Sequence, residues 1–194
     1  MLRHTPTTDD DMKKTVITIT GPSGAGKDTA ARLFAEATAL PVVCSYTTRP
    51  MRPGERDGRE HRFVKSCTAP WADMLAYTRY GGYEYWTLRE QLGDGDAVYV
   101  IDEAGLLCLE DRFPGLRLWE VFVTAQPSLI RERGASAERT GRDTGRKSLP
   151  LERYDRVIVN DGTPERLREA VFAAARYFLA PGSQPKSLSQ RRRC

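Results

Sequence analysis

The sequence is short of histidine and cysteine, with 2 histidines and 4 cysteines in 194 residues. The cysteines Cys44, Cys67, Cys108 and Cys194 stand 23, 41 and 86 residues apart, so there is neither a C-x-x-C pair nor a Cys/His ligand spacing for zinc. A metal-built fold is excluded, and such scattered thiols fit reduced cysteines rather than a disulfide framework. No apolar run approaches the 18 or so residues of a membrane span, and Met1 to Lys14 has no apolar signal-peptide core. The chain therefore reads as cytoplasmic, without membrane contact. Lysine is scarce too: Arg supplies 24 of the 30 basic residues while the net charge is only +4.

That bias is informative, because the planar guanidinium fork binds phosphate or carboxylate in two places at once. The arginines fall in local groups: Arg49, Arg52, Arg56, Arg59 and Arg62; Arg131 to Lys147; and Arg191 to Arg193. They form no long basic face spaced for a duplex, which argues against nucleic acid as partner. The length allows one core with insertions at roughly 150 residues per domain.

Residues 1–13, with Asp9, Asp10 and Asp11 and no periodicity, read as a disordered lead-in. Thr15 to Thr20 is a β-branched run ending at a glycine turn, and Lys27 to Ala39 has apolar residues at helical spacing, which gives strand, loop, helix. Val42 to Cys44 reads as a short strand, and residues 45–62 as an exposed ligand-facing loop rich in Arg, Gly and Pro. A small insertion follows, with a short helix expected over Trp71 to Tyr77 and an aromatic strand over Tyr83 to Leu88. Ala97 to Ile101, Leu116 to Thr124 and Arg156 to Val159 read as buried strands separated by helices. Thr163, Pro164 and Glu165 open a last helix running to about Leu179, by an N-cap and a proline at the first helical position. From Pro181 onward the composition predicts a mobile basic tail, residues 181–194. Strands alternating with helices imply a parallel α/β sheet with its ligand crevice at the carboxyl ends of the strands.

Gly21-Pro22-Ser23-Gly24-Ala25-Gly26-Lys27 lies between the first strand and the first helix, the context a P-loop needs. Glycines let backbone N–H groups turn inward on an anion, the helix N-terminus adds partial positive charge, and Lys27 brings a point charge. The usual Ser or Thr after the lysine is replaced by Asp28, followed by Thr29. Asp28 would contact a metal directly, bind it through water, or cap the helix, leaving Thr29 for hydroxyl contacts to phosphate. No residue is assigned as a metal ligand.

The stretch Ser45 to Val64, SYTTRPMRPGERDGREHRFV, resembles the nucleotide-binding segment of guanylate kinases, S-x-T-T-R-x-x-R-x-G-E-x-D-G-x-x-Y-x-F-V. Gly82 to Tyr85 is similar to that family's glycine-asparagine-tyrosine-tyrosine segment, Ile101 to Gly105 to its I-D-x-x-G, and Asp155 to Asp161 to its D-x-x-I-x-N-D. The resemblance implies a P-loop NTPase fold, a parallel sheet flanked by helices. Within it lie core segments 14–44, 96–130 and 148–180, a nucleoside-monophosphate-binding region 45–95 and a short lid 131–147. It further implies ATP-dependent phosphoryl transfer to GMP or dGMP with Mg2+, in a monomer or homodimer whose partners are small nucleotides.

Carried over by position, Gly21, Ser23, Gly24, Ala25, Gly26, Lys27, Asp28, Thr29 and Asn160 would hold ATP. Arg49 and Arg52 would grip the acceptor phosphate, with Tyr85 and His61 beside them, Ser45 would touch the base, and Asp102 would approach the base or the magnesium shell. Lys27, Arg49, Arg133 and Arg142 are the candidate catalytic residues, the last two as lid arginines. Three positions depart from the family. His61 stands where the family has Tyr. Ala76 stands where it has a base-reading Glu, so that Asp73, Tyr77 or Glu84 would have to substitute. Trp86 replaces a glycine. The pattern leaves room for a kinase of ribose 1,5-bisphosphate, whose P-loop Lys is also followed by Asp, and for a deoxynucleotide kinase of other base preference. A non-catalytic guanylate-kinase-like binding module is the reading of a different class.

Overall fold

The computed structural model describes residues 14–59, 61–133 and 148–191. Its frame is a four-stranded parallel sheet in the order β6-β1-β7-β8. β1 (Thr15–Thr20) sits in the middle and is buried along its whole length. A run of β-branched residues suits that place, since both faces of a central parallel strand are covered. β6 (Ala97–Val100) and β7 (Arg117–Thr124) flank it, and β8 (Arg156–Val159) forms the far edge. α1 (Lys27–Thr38) and the long helix α4 (Pro164–Leu179) cover one face. Phe34, Val171 and Ala175 there meet Ile17, Val121 and Trp119. Trp119 is wedged edge-on against Phe34, with ring centroids 6.1 Å apart, and tilted on Phe178 at 5.4 Å. α2 (Glu103–Arg112) covers the opposite face with Leu106 and Leu109. α3 (Pro127–Glu132) follows β7.

A second sheet, β3-β2-β5-β4, is built from β2 (Tyr46–Thr47), β3 (Arg62–Phe63), β4 (Met74–Tyr80) and β5 (Tyr83–Leu88). The helix expected over Trp71 to Tyr77 is not formed: Trp71–Asp73 is a single tight 3-10 turn, and Met74 begins a strand. The cause is the two-residue turn Gly81-Gly82, both at positive φ (58° and 81°), which closes a hairpin between aromatic-rich strands and pairs Tyr80 with Tyr83. The strand expected at Val42 to Cys44 is likewise reduced to one bridge, Val42 to Val98. Two contacts fasten this sheet to the core. Arg112 stacks over Trp71 at 4.1 Å and donates to the carbonyls of Trp71 and Met74, both at 2.9 Å. Thr87 and Tyr99 share a buried hydroxyl bond of 2.6 Å.

The tail also departs from expectation over the part described. Leu188–Arg191 forms a short helix, α5, and Arg191 is buried, 3% exposed. Lys186 donates through its backbone to Asp155 and through Nζ to the carbonyl of Tyr154, both at 2.7 Å. Arg191, which reads in the sequence as part of a solvated terminus, is thus drawn in by the buried carboxylates of Glu120 and Asp155. Among the described residues no helix is long and apolar enough to cross a membrane.

Candidate active site

The site lies at the carboxyl end of β1, where the chain turns sharply into α1. Gly21 adopts φ 139°, and a Cβ there would stand 1.9 Å from the carbonyl oxygen of Val123 on β7, so no other residue fits. Gly26 precedes α1 at φ 97° and offers no side-chain cap to the helix N-terminus. That is the anion-receptive arrangement of a P-loop. Pro22, Ser23, Gly24 and Ala25 form the loop, closed by a bond from the Ala25 amide to the Pro22 carbonyl at 3.2 Å. Lys27 extends back over it, its Nζ 2.9 Å from the same carbonyl. Asp28 and Thr29 lie exposed in the first turn.

Asn160, expected among the ATP contacts, is buried behind the loop. Its Nδ2 donates to the Ala25 carbonyl at 2.9 Å, and its own N–H donates to Thr124 at 2.7 Å. It therefore fixes the loop's shape from within the protein. Arg133, expected on a lid, stands just past α3, and its guanidinium donates to the carbonyls of Asn160 at 2.8 Å and Gly162 at 3.3 Å. Arg142 lies outside the described residues, as does the rest of the expected lid from residue 134 to 147.

β2, β3 and β5 gather the acceptor candidates on one face. Register pairs Thr47 with both Phe63 and Tyr85, so alternation puts Ser45, Thr47, His61, Phe63, Tyr85 and Thr87 on the same side. Ser45 Oγ lies 2.7 Å from His61 Nδ1, and the His61 ring meets Tyr85 edge-on at 5.8 Å. Burial, reinforced by the neighbouring Arg49, pulls the His61 imidazole down to about 4, so the ring is neutral at physiological pH. A neutral ring that accepts from Ser45 at Nδ1 keeps its proton on Nε2 as a donor.

Arg49 is the most buried arginine of the loop, 5% exposed. Its NH1 and NH2 each donate to Glu55 at 2.7 Å, NH1 also reaches the Pro50 carbonyl at 2.9 Å, and Phe63 lies against the guanidinium at 5.1 Å. Arg52 is more exposed, 3.9 Å from the same carboxylate. Glu55 is a residue that motif reading passes over: it stands inside the quoted stretch, but nothing in the spacing says that it faces Arg49.

Of the three groups expected to substitute at the base wall, the sheet register excludes two. Tyr77 pairs with Trp86 and Glu84 with Arg79, so both lie on the face away from Tyr85, where Tyr77 donates to Glu84 at 2.8 Å. Asp73 sits in the 3-10 turn before β4. Ala76 pairs with Thr87 and is buried against the core. Trp86 packs rather than narrowing the acceptor face: it stacks on Tyr46 at 5.5 Å and 10° on the outer side. Asp102 follows β6 and caps α2, accepting from the Gly105 amide at 2.6 Å through Oδ1.

Among the described residues no group of three His, Cys, Asp or Glu side chains is placed to hold a metal ion. Asp28 and Thr29, exposed in the first turn of α1 and next in sequence to the P-loop lysine, are the side chains that a divalent ion carried on nucleotide phosphates would meet. That fits Mg2+, which keeps most of its waters and takes few protein ligands.

The family model described as Guanylate kinase matches residues 12–90. A guanylate kinase of Gloeobacter violaceus is 37% identical over 186 residues, covering 84% of this chain and 86% of that one. Another, of Chlorobium luteolum, is 32% identical over 190 residues, covering 85% and 92%. Among solved structures, guanylate kinase from Anaplasma phagocytophilum shares the fold with a TM-score of 0.65 at 21% identity, over 88% of this chain and 89% of that one. With the P-loop and the acceptor hairpin in place as described, the chain belongs to the guanylate kinase family.

Proposed function

We propose that the protein transfers the γ-phosphoryl group of ATP to GMP or dGMP, giving ADP and GDP or dGDP. The observation that carries this reading is the meeting of two anion-receptive surfaces. Asp28, immediately after the P-loop lysine, is close enough to His61 on the acceptor face to raise its proton affinity electrostatically. In this reading the P-loop and the Arg49, His61 and Tyr85 group face one cleft, as a donor and an acceptor phosphate must for direct transfer. Phosphoryl transfer asks little covalent chemistry of the protein; positioning and charge neutralisation do most of the work.

In this reading the α1 N-terminus and Lys27 receive the β- and γ-phosphates of ATP, with Ser23, Gly24 and Gly26 shaping the cradle. Arg49 and Arg52, with the Tyr85 hydroxyl and the neutral His61 Nε2–H, hold the acceptor phosphate without a covalent intermediate. Ser45, Asp73 and Asp102 are the polar groups left for the base, since the Ala76 wall is apolar. Mg2+ bound with ATP would offset charge on the transferring group. Arg133 and Arg142, on the 131–147 segment, would close over the phosphates and keep water out. The protein works in the cytoplasm as a monomer or homodimer.

The test is a coupled ADP-release assay with ATP and Mg2+ against GMP, dGMP, AMP, CMP, UMP, dTMP and ribose 1,5-bisphosphate. Turnover confined to GMP and dGMP is expected, and Lys27→Ala should abolish it while leaving the melting curve unchanged. Turnover with the sugar bisphosphate alone would move the acceptor away from nucleotides. Silence across the panel would leave a binding module.

A further inference from the structure

We infer that Glu55 is a positioning residue for the acceptor phosphate: it consumes one edge of the Arg49 guanidinium so that the remaining edge is held toward Tyr85 and the cleft. The inference rests on the kinase reading above and extends it to a side chain that touches no substrate.

The count of donors makes the case. A guanidinium has five N–H groups in a rigid plane. Glu55 takes two of them end-on, one from NH1 and one from NH2, and the Pro50 carbonyl takes the second of NH1. The other two, on Nε and NH2, lie along a single edge of the plane. The Tyr85 hydroxyl interacts with this guanidinium too, so the remaining edge shares its surroundings with another phosphate-binding candidate. Phe63 covers the ring face at 5.1 Å, and the Arg49 backbone N–H is tied to Thr47 Oγ1 at 3.2 Å. The arginine is thus fixed at its backbone, one face and one edge. An unsupported arginine would have to give up much side-chain freedom on binding; this one has already done so.

Glu55 is itself held. It closes a turn, its N–H donating to the Arg52 carbonyl at 3.1 Å, while its Oε2 receives the Arg52 N–H at 2.8 Å. One carboxylate therefore sets the geometry of both arginines that converge on the acceptor. With 4% of the Arg49 side chain and 17% of the Glu55 side chain exposed, the pair is sheltered from the solvent screening that makes most surface pairs negligible.

The opposite role is chemically conceivable, with the carboxylate standing in for phosphate and having to be displaced. The two roles predict opposite signs. As a positioning group, Glu55→Gln should raise the KM for GMP roughly ten- to hundredfold, the value of a hydrogen bond to a charged group, with the KM for ATP unchanged. As a competitor it should lower the KM for GMP.

The decisive experiment is a cycle of Glu55→Gln, Arg49→Lys and the double variant. Steady-state kinetics are read for both substrates, alongside calorimetric GMP binding without ATP and melting temperature. A residue acting through Arg49 gives a double variant no worse than Arg49→Lys alone. Additive losses, equal increases in both KM values, or a lowered KM for GMP would each overturn the inference. Should Glu55→Gln fail to fold, Glu55→Asp, which shortens the reach without removing charge, is put through the same cycle with the same expectation. A wild-type chain that neither binds nor phosphorylates GMP overturns the kinase reading and this inference with it. An active wild type with an indifferent Glu55→Gln overturns the inference alone.

Discussion

Two buried arginines, Arg49 on the acceptor loop and Arg191 at the far side of the core, show how one chemistry serves opposite ends. Arg191 gives all its donors to the protein. Nε bonds the Lys186 carbonyl at 3.0 Å, NH1 reaches Arg153 O at 3.3 Å and Glu120 at 2.8 Å, and NH2 reaches Leu118 O at 2.8 Å and Asp155 at 2.6 Å. Arg153 completes the group, bonded to Glu120 at 3.0 Å and to Glu110 at 2.6 Å. Among the described residues Arg49 meets one carboxylate and one carbonyl, with the Tyr85 hydroxyl near its other edge. A buried guanidinium whose donors are all satisfied is architecture, whereas one with donors to spare at the carboxyl end of a parallel sheet is a ligand group in waiting.

The largest effect expected from breaking this contrast is on stability. Arg191→Ala takes the guanidinium from buried Asp155 and leaves Glu120 with Arg153 alone, which costs about 3–5 kcal/mol. At roughly 2–4 °C per kcal/mol for a chain of this size, the melting temperature should fall on the order of 10 °C. The KM for ATP and for GMP should stay where they are. Arg49→Ala should do the reverse: kcat/KM for the acceptor falls roughly 10²- to 10³-fold, while the melting temperature falls less than in Arg191→Ala, because the 17% exposed Glu55 can turn its freed carboxylate to water where buried Asp155 cannot. Calorimetry and kinetics on both variants decide. If Arg49→Ala melts as early as Arg191→Ala with its acceptor kinetics intact, the division between the two arginines is wrong.

The same contrast explains what could be read from the sequence. The β1 run, the glycines of the loop and the helical spacing from Lys27 are all local, and they place the P-loop without a tertiary model. Thr163 likewise announces α4, its side chain accepting from the Arg166 N–H at 3.4 Å with Pro164 in the first turn. Arg49 was legible because it sits in a patterned loop, but Glu55 as its partner was not, since a pairing six residues away across a turn has no period. Arg191 looked like solvent-facing charge because composition cannot say that Glu120, 71 residues earlier, is fully buried and needs a cation. The hairpin at Gly81-Gly82 was written in the sequence as a two-glycine turn between aromatic strands. Helical spacing over Trp71 to Tyr77 competed with that signal, and strand pairing won. Asn160 reads in the sequence as an ATP contact; in the fold its amide braces the Ala25 carbonyl, a contact 135 residues apart that no motif announces.

A smaller effect should follow pH. His61 is held near 4 in the folded protein against 6.5 in an open chain, so the unfolded state takes up a proton first as the solution is acidified. The stability due to its neutral burial is therefore complete above about 6.5 and lost as pH falls toward 4, at most on the order of 3 kcal/mol. His61→Asn removes this dependence. Urea unfolding of both proteins at pH 7 and pH 4.5 should show the variant less stable at pH 7, with the gap closing or reversing at pH 4.5. A gap of constant size would mean that His61 is not buried in neutral form.

The smallest effect is expected where charge pairing is most obvious to the eye. Arg168 on α4 grips Glu36 on α1 through two bonds of 2.7 and 2.5 Å, closer than the Arg49 pair at its shortest. Each member depresses or raises the other's proton affinity in the stabilising sense, Glu36 downward and Arg168 upward. Yet the side chains are 48% and 51% exposed, so water competes for both charges and salt screens them. Glu36→Gln should shift the melting temperature by about 2 °C or less at low salt, and by less still at high salt, with no change in either KM. A shift as large as that of Arg191→Ala would show that short geometry alone sets the worth of a pair here, and burial and donor count would no longer separate the arginines of this protein.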